Sequence, residues 1–144
     1  MNRLVVDCCV AAKWFLDEEH TPAAREVLKG PFELHAPDLL LLEFDNLVCK
    51  RVRRKEISAR AGDRLRAALR RMPVHIHSFV PLLDPAYAAA VASGCALYDC
   101  LYLVLAELLD AGLVTADQRF FRGARGTVLG KRLLWVADDL KSIQ

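Results

Sequence analysis

Short strand-like runs that alternate with helical stretches constrain this chain more than any other feature of its sequence. LVVD at 4–7, FELHA at 32–36, VHIHSFV at 74–80, LVTAD at 113–117 and LLWV at 133–136 read as strands, with helical or turn-forming residues between them. Parallel neighbours need crossover connections, so the pattern predicts an α/β fold of three layers, α/β/α. Its core would be a central, mostly parallel sheet of four to five strands. In sheets of this kind ligands bind outside the carboxyl ends of the strands. Asp7 and Asp117 fall at or just past such ends.

Caps and breakers set the helices. CVAAKWFLDEE (9–19) has helical character after the first strand. Thr21 as cap with Pro22 in the first turn predicts a helix to about residue 29, stopped by Gly30 and Pro31. Pro37 and Asp38 open a long helical stretch at 39–56, apolar on nearly every side in its first half and basic in its second, so its start should be buried and its end wet. Ser58 caps a helix at 59–72 that Pro73 breaks. Asp84 and Pro85 begin another, and SGCALYDCLYLVLAELLDAG (93–112) carries the next, with Gly112 in the position of a C-cap.

At 144 residues with 54% hydrophobic side chains, the chain suits one sizeable core, and 1–144 is read as a single domain. No run approaches the roughly 18 apolar residues of a membrane span. The first residues, MNRLVVD, enter a strand rather than a signal peptide, so the expected location is the cytoplasm. The five cysteines are odd in number, include the adjacent Cys8 and Cys9, and form no Cys-x-x-Cys pair; reduced, mostly buried thiols are expected. A net charge of +2 says little about partners, but residues 50–71 hold ten Lys or Arg against Glu56 and Asp63. That stretch is a candidate for holding phosphates, for gripping an acidic protein segment, or for solvation alone.

Four acids carry the chemistry. Asp7 and Asp117 each precede a helical segment, where the plain reading is an N-cap. Asp99 has Cys95, Ala96, Tyr102 and Leu103 at helical spacing, which places a carboxylate in the first turn of a helix and partly among apolar neighbours. Such a group is costly to bury unpaired, and a cation is one remedy. Glu43 sits between Leu39, Leu40, Asn46 and Leu47, and Asp45 between Leu41, Leu42, Val48 and Cys49, so periodicity leaves the choice between them open. Acids at strand ends and in buried helix segments form a set that hard, oxygen-preferring cations could hold together.

LVVDCCVAAKWF, APDLLLLEFDNLV, LYDCLYLVLAELL and LVTADQRF, in that order, resemble the four acidic blocks of PIN domains, most strongly those of VapC toxins. The resemblance covers essentially the whole chain. It implies a metal-dependent endoribonuclease that uses Asp7, Glu43, Asp99 and Asp117 as catalytic and metal-binding residues, selecting Glu43 over Asp45, with Asn46 and Thr115 in support. It further implies Mg²⁺ or Mn²⁺, an RNA substrate, a VapB-like antitoxin and a homodimer. Metal chemistry of this kind needs no side-chain nucleophile. One departure stands out: two places after the first acid, where the family has a small hydroxyl residue, this chain has Cys9, a weaker hydrogen-bond donor and a poor Mg²⁺ partner.

Three other functions compete: an RNA-processing PIN nuclease without a toxin role, a PIN module that only binds, and a phosphoacceptor domain. Aspartyl phosphatases of the last class want a second aspartate where Cys9 stands. His75 and His77 alternate along a strand and point the same way, which is read as packing or solvent exposure rather than a metal pair. Trp14, Trp135, Tyr98 and Tyr102 are read as core or sheet-covering aromatics.

Overall fold

The computed structural model describes residues 2–137. Five strands form one sheet in the order β3-β2-β1-β4-β5, with β1 at Asn2–Val6, β2 at Phe32–Pro37, β3 at Val74–His77, β4 at Gly112–Thr115 and β5 at Leu133–Trp135. Every pairing is parallel, so the sheet takes the upper end of the expected strand number. Leu4, Val5 and Val6 in the central strand are all buried although they alternate between faces; layers cover both sides, which is why this strand reads as a continuous apolar run.

Seven helices supply the crossovers: α1 (Cys8–Lys13), α2 (Thr21–Lys29), α3 (Leu39–Arg53), α4 (Ala59–Arg70), α5 (Leu83–Ser93), α6 (Leu97–Leu108) and α7 (Gln118–Ala124). Short 3-10 turns stand at Val80–Leu82 and Leu129–Arg132. The chain runs outward from β1 through β2 to β3, then returns through α5 and α6 to place β4 on the other side of β1. The strand order therefore reverses between β1 and β4. That gap is the switch point at which open parallel sheets bind ligands.

Local chemistry explains where several elements depart from the sequence reading. α1 stops at Lys13, well short of residue 19, and Trp14 turns inward so that its Nε1 donates to Ala24 O at 2.9 Å, tying α1 to α2. Thr21 is inside α2 rather than its cap: its hydroxyl donates to Leu16 O and accepts from Glu18 N, closing the preceding turn, while His20 takes the cap position with φ 66°. The third strand ends at His77, because Phe79 N donates to the Asp38 carboxylate and the chain coils into the first 3-10 turn. Gly112 is not a helix cap. It opens β4, where a Cβ would lie 2.5 Å from Leu134 Cδ1, and Asp110, with φ 49°, makes the left-handed turn that ends α6. Gly94, with φ 75°, ends α5 in the ordinary way. Ser58 caps α4 as expected, accepting from Ala61 N at 3.0 Å.

α3 is apolar at its start but buries only Leu39, Leu40, Phe44 and Val48 fully in the core, with Leu41, Leu47 and Val52 partly buried against it; Leu42 is 69% exposed on the opposite side. Among the four aromatics, Tyr98 is a correction, because it is 62% exposed, whereas Trp14 and Tyr102 are buried. All five cysteines are free, but only Cys100 is fully buried and Cys49 is exposed. Among the described residues no single helix is long and apolar enough to cross a membrane.

Candidate active site

Asp7 is one residue beyond the end of β1 and Thr115 is the last residue of β4; the register pairs Val6 with Val114, which brings the two ends side by side at the switch point. Asp7 caps α1, its Oδ1 accepting from Val10 N at 3.0 Å, and Asp117 caps α7, accepting from Phe120 N at 3.2 Å. The N-cap reading is therefore true of both residues. A single buried hydroxyl links them: Thr115 hydrogen-bonds the Asp7 carboxylate and accepts from Asp117 N at 3.0 Å. A threonine at a strand end with an acid two residues on is the local pattern that produces this bridge.

Two helices complete the group. Asp99 sits in the first turn of α6, half-buried, and Glu43 lies in the middle of α3. Tyr102, one turn after Asp99, reaches across to Glu43, its hydroxyl donating to Oε1 at 2.5 Å. Asp117 and Glu43 each lie near enough to Asp7 and to Asp99 for their charges to act on both. Burial, then the charges of Asp117 and Glu43, push the Asp7 pKa up to about 7, although its hydrogen bonds to Thr115 and Val10 pull the other way. Burial followed by the same two charges raises Asp99 to about 6. Burial also raises Glu43 against the opposing bond from Tyr102, and the phenol of Tyr102 is raised by burial and by the Glu43 charge, so it remains a donor.

Asp45 behaves in the opposite way. Two residues from Glu43 on the same helix, it is clasped by Arg66 at 2.9 Å and Arg70 at 2.8 Å on α4. Partial burial works against its ionisation, but the two guanidinium bonds prevail and hold its pKa below the usual range. It is neutralised and structural. The structure thus separates two acids that periodicity alone could not.

Two clefts flank the acids. One, of about 540 Å³, is lined by Asp99, Asp117 and Arg119 together with Cys95 and Ser93. The other, of about 520 Å³, is lined by Glu43, Asn46, Cys8 and Cys9 and by Lys50, Arg51 and Arg54. Asn46 is exposed there. The basic stretch is partly spent on internal pairs: Arg51 with Glu18 and Glu56, Arg66 and Arg70 with Asp45. Cys9 stays a neutral thiol, its pKa pushed up to about 12 by burial and then by the Asp7 charge.

A second cluster escaped the sequence reading. His35 on β2 bridges Glu33 Oε1 at 2.6 Å and His77 Nε2 at 2.8 Å, and its ring stacks on His75 at 4.8 Å. His75 and His77 do point the same way, but toward a third histidine; the signal was the matching alternation of Glu33 and His35 on the neighbouring strand. Glu33 is held low by His35, and His77 is pushed down by burial and by His35 and His75.

Among the described residues no three His, Cys, Asp or Glu side chains form a ready-made metal cage. The donor set nonetheless suits a hard cation. It consists of oxygens only, and its buried Asp7 carries like charges for neighbours. Mg²⁺ keeps several waters and is commonly held by one or two carboxylates plus substrate phosphates, so an open set of acids fits it.

A parallel α/β sheet with four acids at its switch point defines the general class, and comparison with known proteins supplies the family. The PIN domain profile matches residues 4–126, and the chain belongs to the PIN domain family. It is 29% identical over 119 residues to Ribonuclease VapC3 of Pyrobaculum aerophilum, covering 81% of this chain and 91% of that protein. It is also 29% identical over 116 residues to Ribonuclease VapC9 of Mycobacterium tuberculosis, covering 81% and 87%. PAE2754 of Pyrobaculum aerophilum superposes with a TM-score of 0.69 at 21% identity over 94% of this chain and 91% of that one. A toxin-antitoxin complex from Klebsiella pneumoniae gives 0.63 at 16% identity over 91% and 95%. At these identities the two structures speak to the fold, which is PIN-like.

Proposed function

We propose that this chain is a Mg²⁺- or Mn²⁺-dependent endoribonuclease and the toxin of a toxin–antitoxin pair, with residues 1–144 acting as one PIN domain. The observation that carries the proposal is the set of carboxylates at the switch point, buried Asp7 and half-buried Asp99 each repelled by Asp117 and Glu43, between two clefts that hold cationic side chains. Repulsion of this kind stabilises nothing by itself; it is the environment a divalent cation relieves.

Asp7 and Asp99 are the direct ligands in this reading, and Glu43 and Asp117 bind directly or through water. A divalent cation held there supplies charge to activate a water for in-line attack on a phosphodiester and to offset the charge of the leaving oxygen. Thr115 orients Asp7 and fixes the Asp117 backbone in the same hydroxyl contact. Arg119 in one cleft and Lys50 and Arg54 in the other offset the repulsion that four acids would exert on an RNA backbone. The VapC ribonucleases among its relatives support RNA as substrate, and the toxin-antitoxin complex from Klebsiella pneumoniae supports an antitoxin partner, which the VapC names make VapB-like in this reading. A homodimer working in the cytoplasm completes the proposal.

The test is cleavage of total cellular RNA by purified protein with Mn²⁺ or EDTA, comparing wild type with Asp7→Asn. Discrete fragments that require both the metal and Asp7 are expected. Absence of metal-dependent cutting from antitoxin-free protein would move the chain to the binding-only reading, with Cys9 at the usual hydroxyl position as the leading cause.

A further inference from the structure

We infer that Tyr102 is a positioning residue for the acid cluster, holding Glu43 in the orientation from which its second carboxylate oxygen serves the metal site. The inference rests on the proposed function and adds a residue to it.

Three observations carry it. The Tyr102 side chain is 2% exposed, so its hydroxyl is placed by packing rather than by solvent. It donates to Glu43 Oε1 at 2.5 Å, and it is the hydrogen-bond partner of that carboxylate among the described residues. It stands three positions after Asp99 on α6, so one face of one helix provides both an acid of the cluster and the clamp on another acid that comes from α3. A carboxylate in mid-helix has three side-chain torsions to fix, and a bond from a rigid, buried ring fixes them at little entropic cost. With Oε1 occupied, Oε2 is the oxygen left for a cation or its bound water. Groups that orient metal ligands in this way commonly change metal affinity by about 10–100-fold when removed.

A structural role alone would make Tyr102 matter for folding but not for metal binding once the protein is folded. The two are separated by measuring Mn²⁺ affinity directly, by calorimetry or by the electron paramagnetic resonance signal of free Mn²⁺, on metal-free wild type and Tyr102→Phe. Tyr102→Phe should keep the wild-type circular dichroism spectrum and bind Mn²⁺ about 10–100-fold more weakly, with cleavage recovering toward wild type at saturating Mn²⁺. Equal Mn²⁺ affinity within about two-fold in folded Tyr102→Phe would overturn the inference while leaving the nuclease reading intact. No Mn²⁺ binding by wild type would remove both. Should Tyr102→Phe fail to fold with an unpartnered buried carboxylate, the comparison moves to Glu43→Gln with and without Tyr102→Phe. There the tyrosine change should add less than about two-fold, and a further loss near ten-fold would show that Tyr102 acts independently of Glu43.

Discussion

Glu43 and Asp45 lie two residues apart on α3, and their surroundings differ in kind. Asp45 looks outward to Arg66 and Arg70, which neutralise it and draw its pKa down. Glu43 is bonded by the hydroxyl of Tyr102, its charge acts on Asp7 and Asp99, and burial draws its own pKa up against the Tyr102 bond. The Asp45 clasp is complete within the protein. Among the described residues the acid cluster has no cationic hydrogen-bond partner, and it contains the two most strongly raised aspartates, Asp7 and Asp99. Where a fold keeps several carboxylates in repulsion, the missing positive charge points to a ligand.

The largest effect expected from breaking this contrast is on catalysis. Asp7→Asn keeps a good N-cap for α1 while removing the charge, and should reduce metal-dependent RNA cleavage at least about 100-fold without unfolding the protein, read by gel assay beside circular dichroism.

Stability should respond next. Folded Asp7 keeps its proton to about pH 7, whereas its ordinary value is 3.8, so its contribution is fully present below pH 4 and lost as pH rises through 7. The shift corresponds to on the order of 4 kcal/mol. Metal-free wild type should therefore lose stability relative to Asp7→Asn between pH 5 and pH 8 in denaturant melts, and Mn²⁺ at pH 8 should raise the midpoint of wild type but not of the variant. A pH-independent difference between the two would contradict the assigned burial of Asp7.

Smaller effects should follow at the clefts. Arg119→Ala and Arg54→Ala should each weaken binding of a single-stranded RNA to a cleavage-dead variant by about five- to ten-fold and lower the salt slope by about one, measured by fluorescence anisotropy. Smallest of all is the other side of the comparison: Asp45→Asn should cost only about 0.5–1 kcal/mol, since its arginine partners are 39% and 47% exposed, and should leave cleavage within about two-fold of wild type.

Much of this contrast was legible in the sequence, and the unread part has a physical cause. The parallel sheet followed from strand and helix alternation, and Asp7 and Asp117 followed from their places at strand ends. Glu43 and Asp45 could not be told apart because both have apolar neighbours at helical spacing. The difference comes from α4, whose Arg66 and Arg70 lie 21 and 25 residues away. Tyr102 was assigned to the core, correctly as to burial, but its hydroxyl contact spans 59 residues and leaves no local trace. The Glu33–His35–His77 chain was missed because it requires the register of β2 against β3. Helix ends failed at Lys13 and Leu108, where a tryptophan hydrogen bond and a left-handed aspartate, rather than a proline or glycine, stop the chain.

The most direct measurement is metal-dependent cleavage of RNA by Glu43→Gln and Asp45→Asn side by side, each with Mn²⁺ and with EDTA. Loss of the Mn²⁺-dependent activity in Glu43→Gln with its retention in Asp45→Asn is the expected result. Equal activity in the two variants, whether both active or both dead, would contradict the assignment of the repelling cluster as the catalytic site.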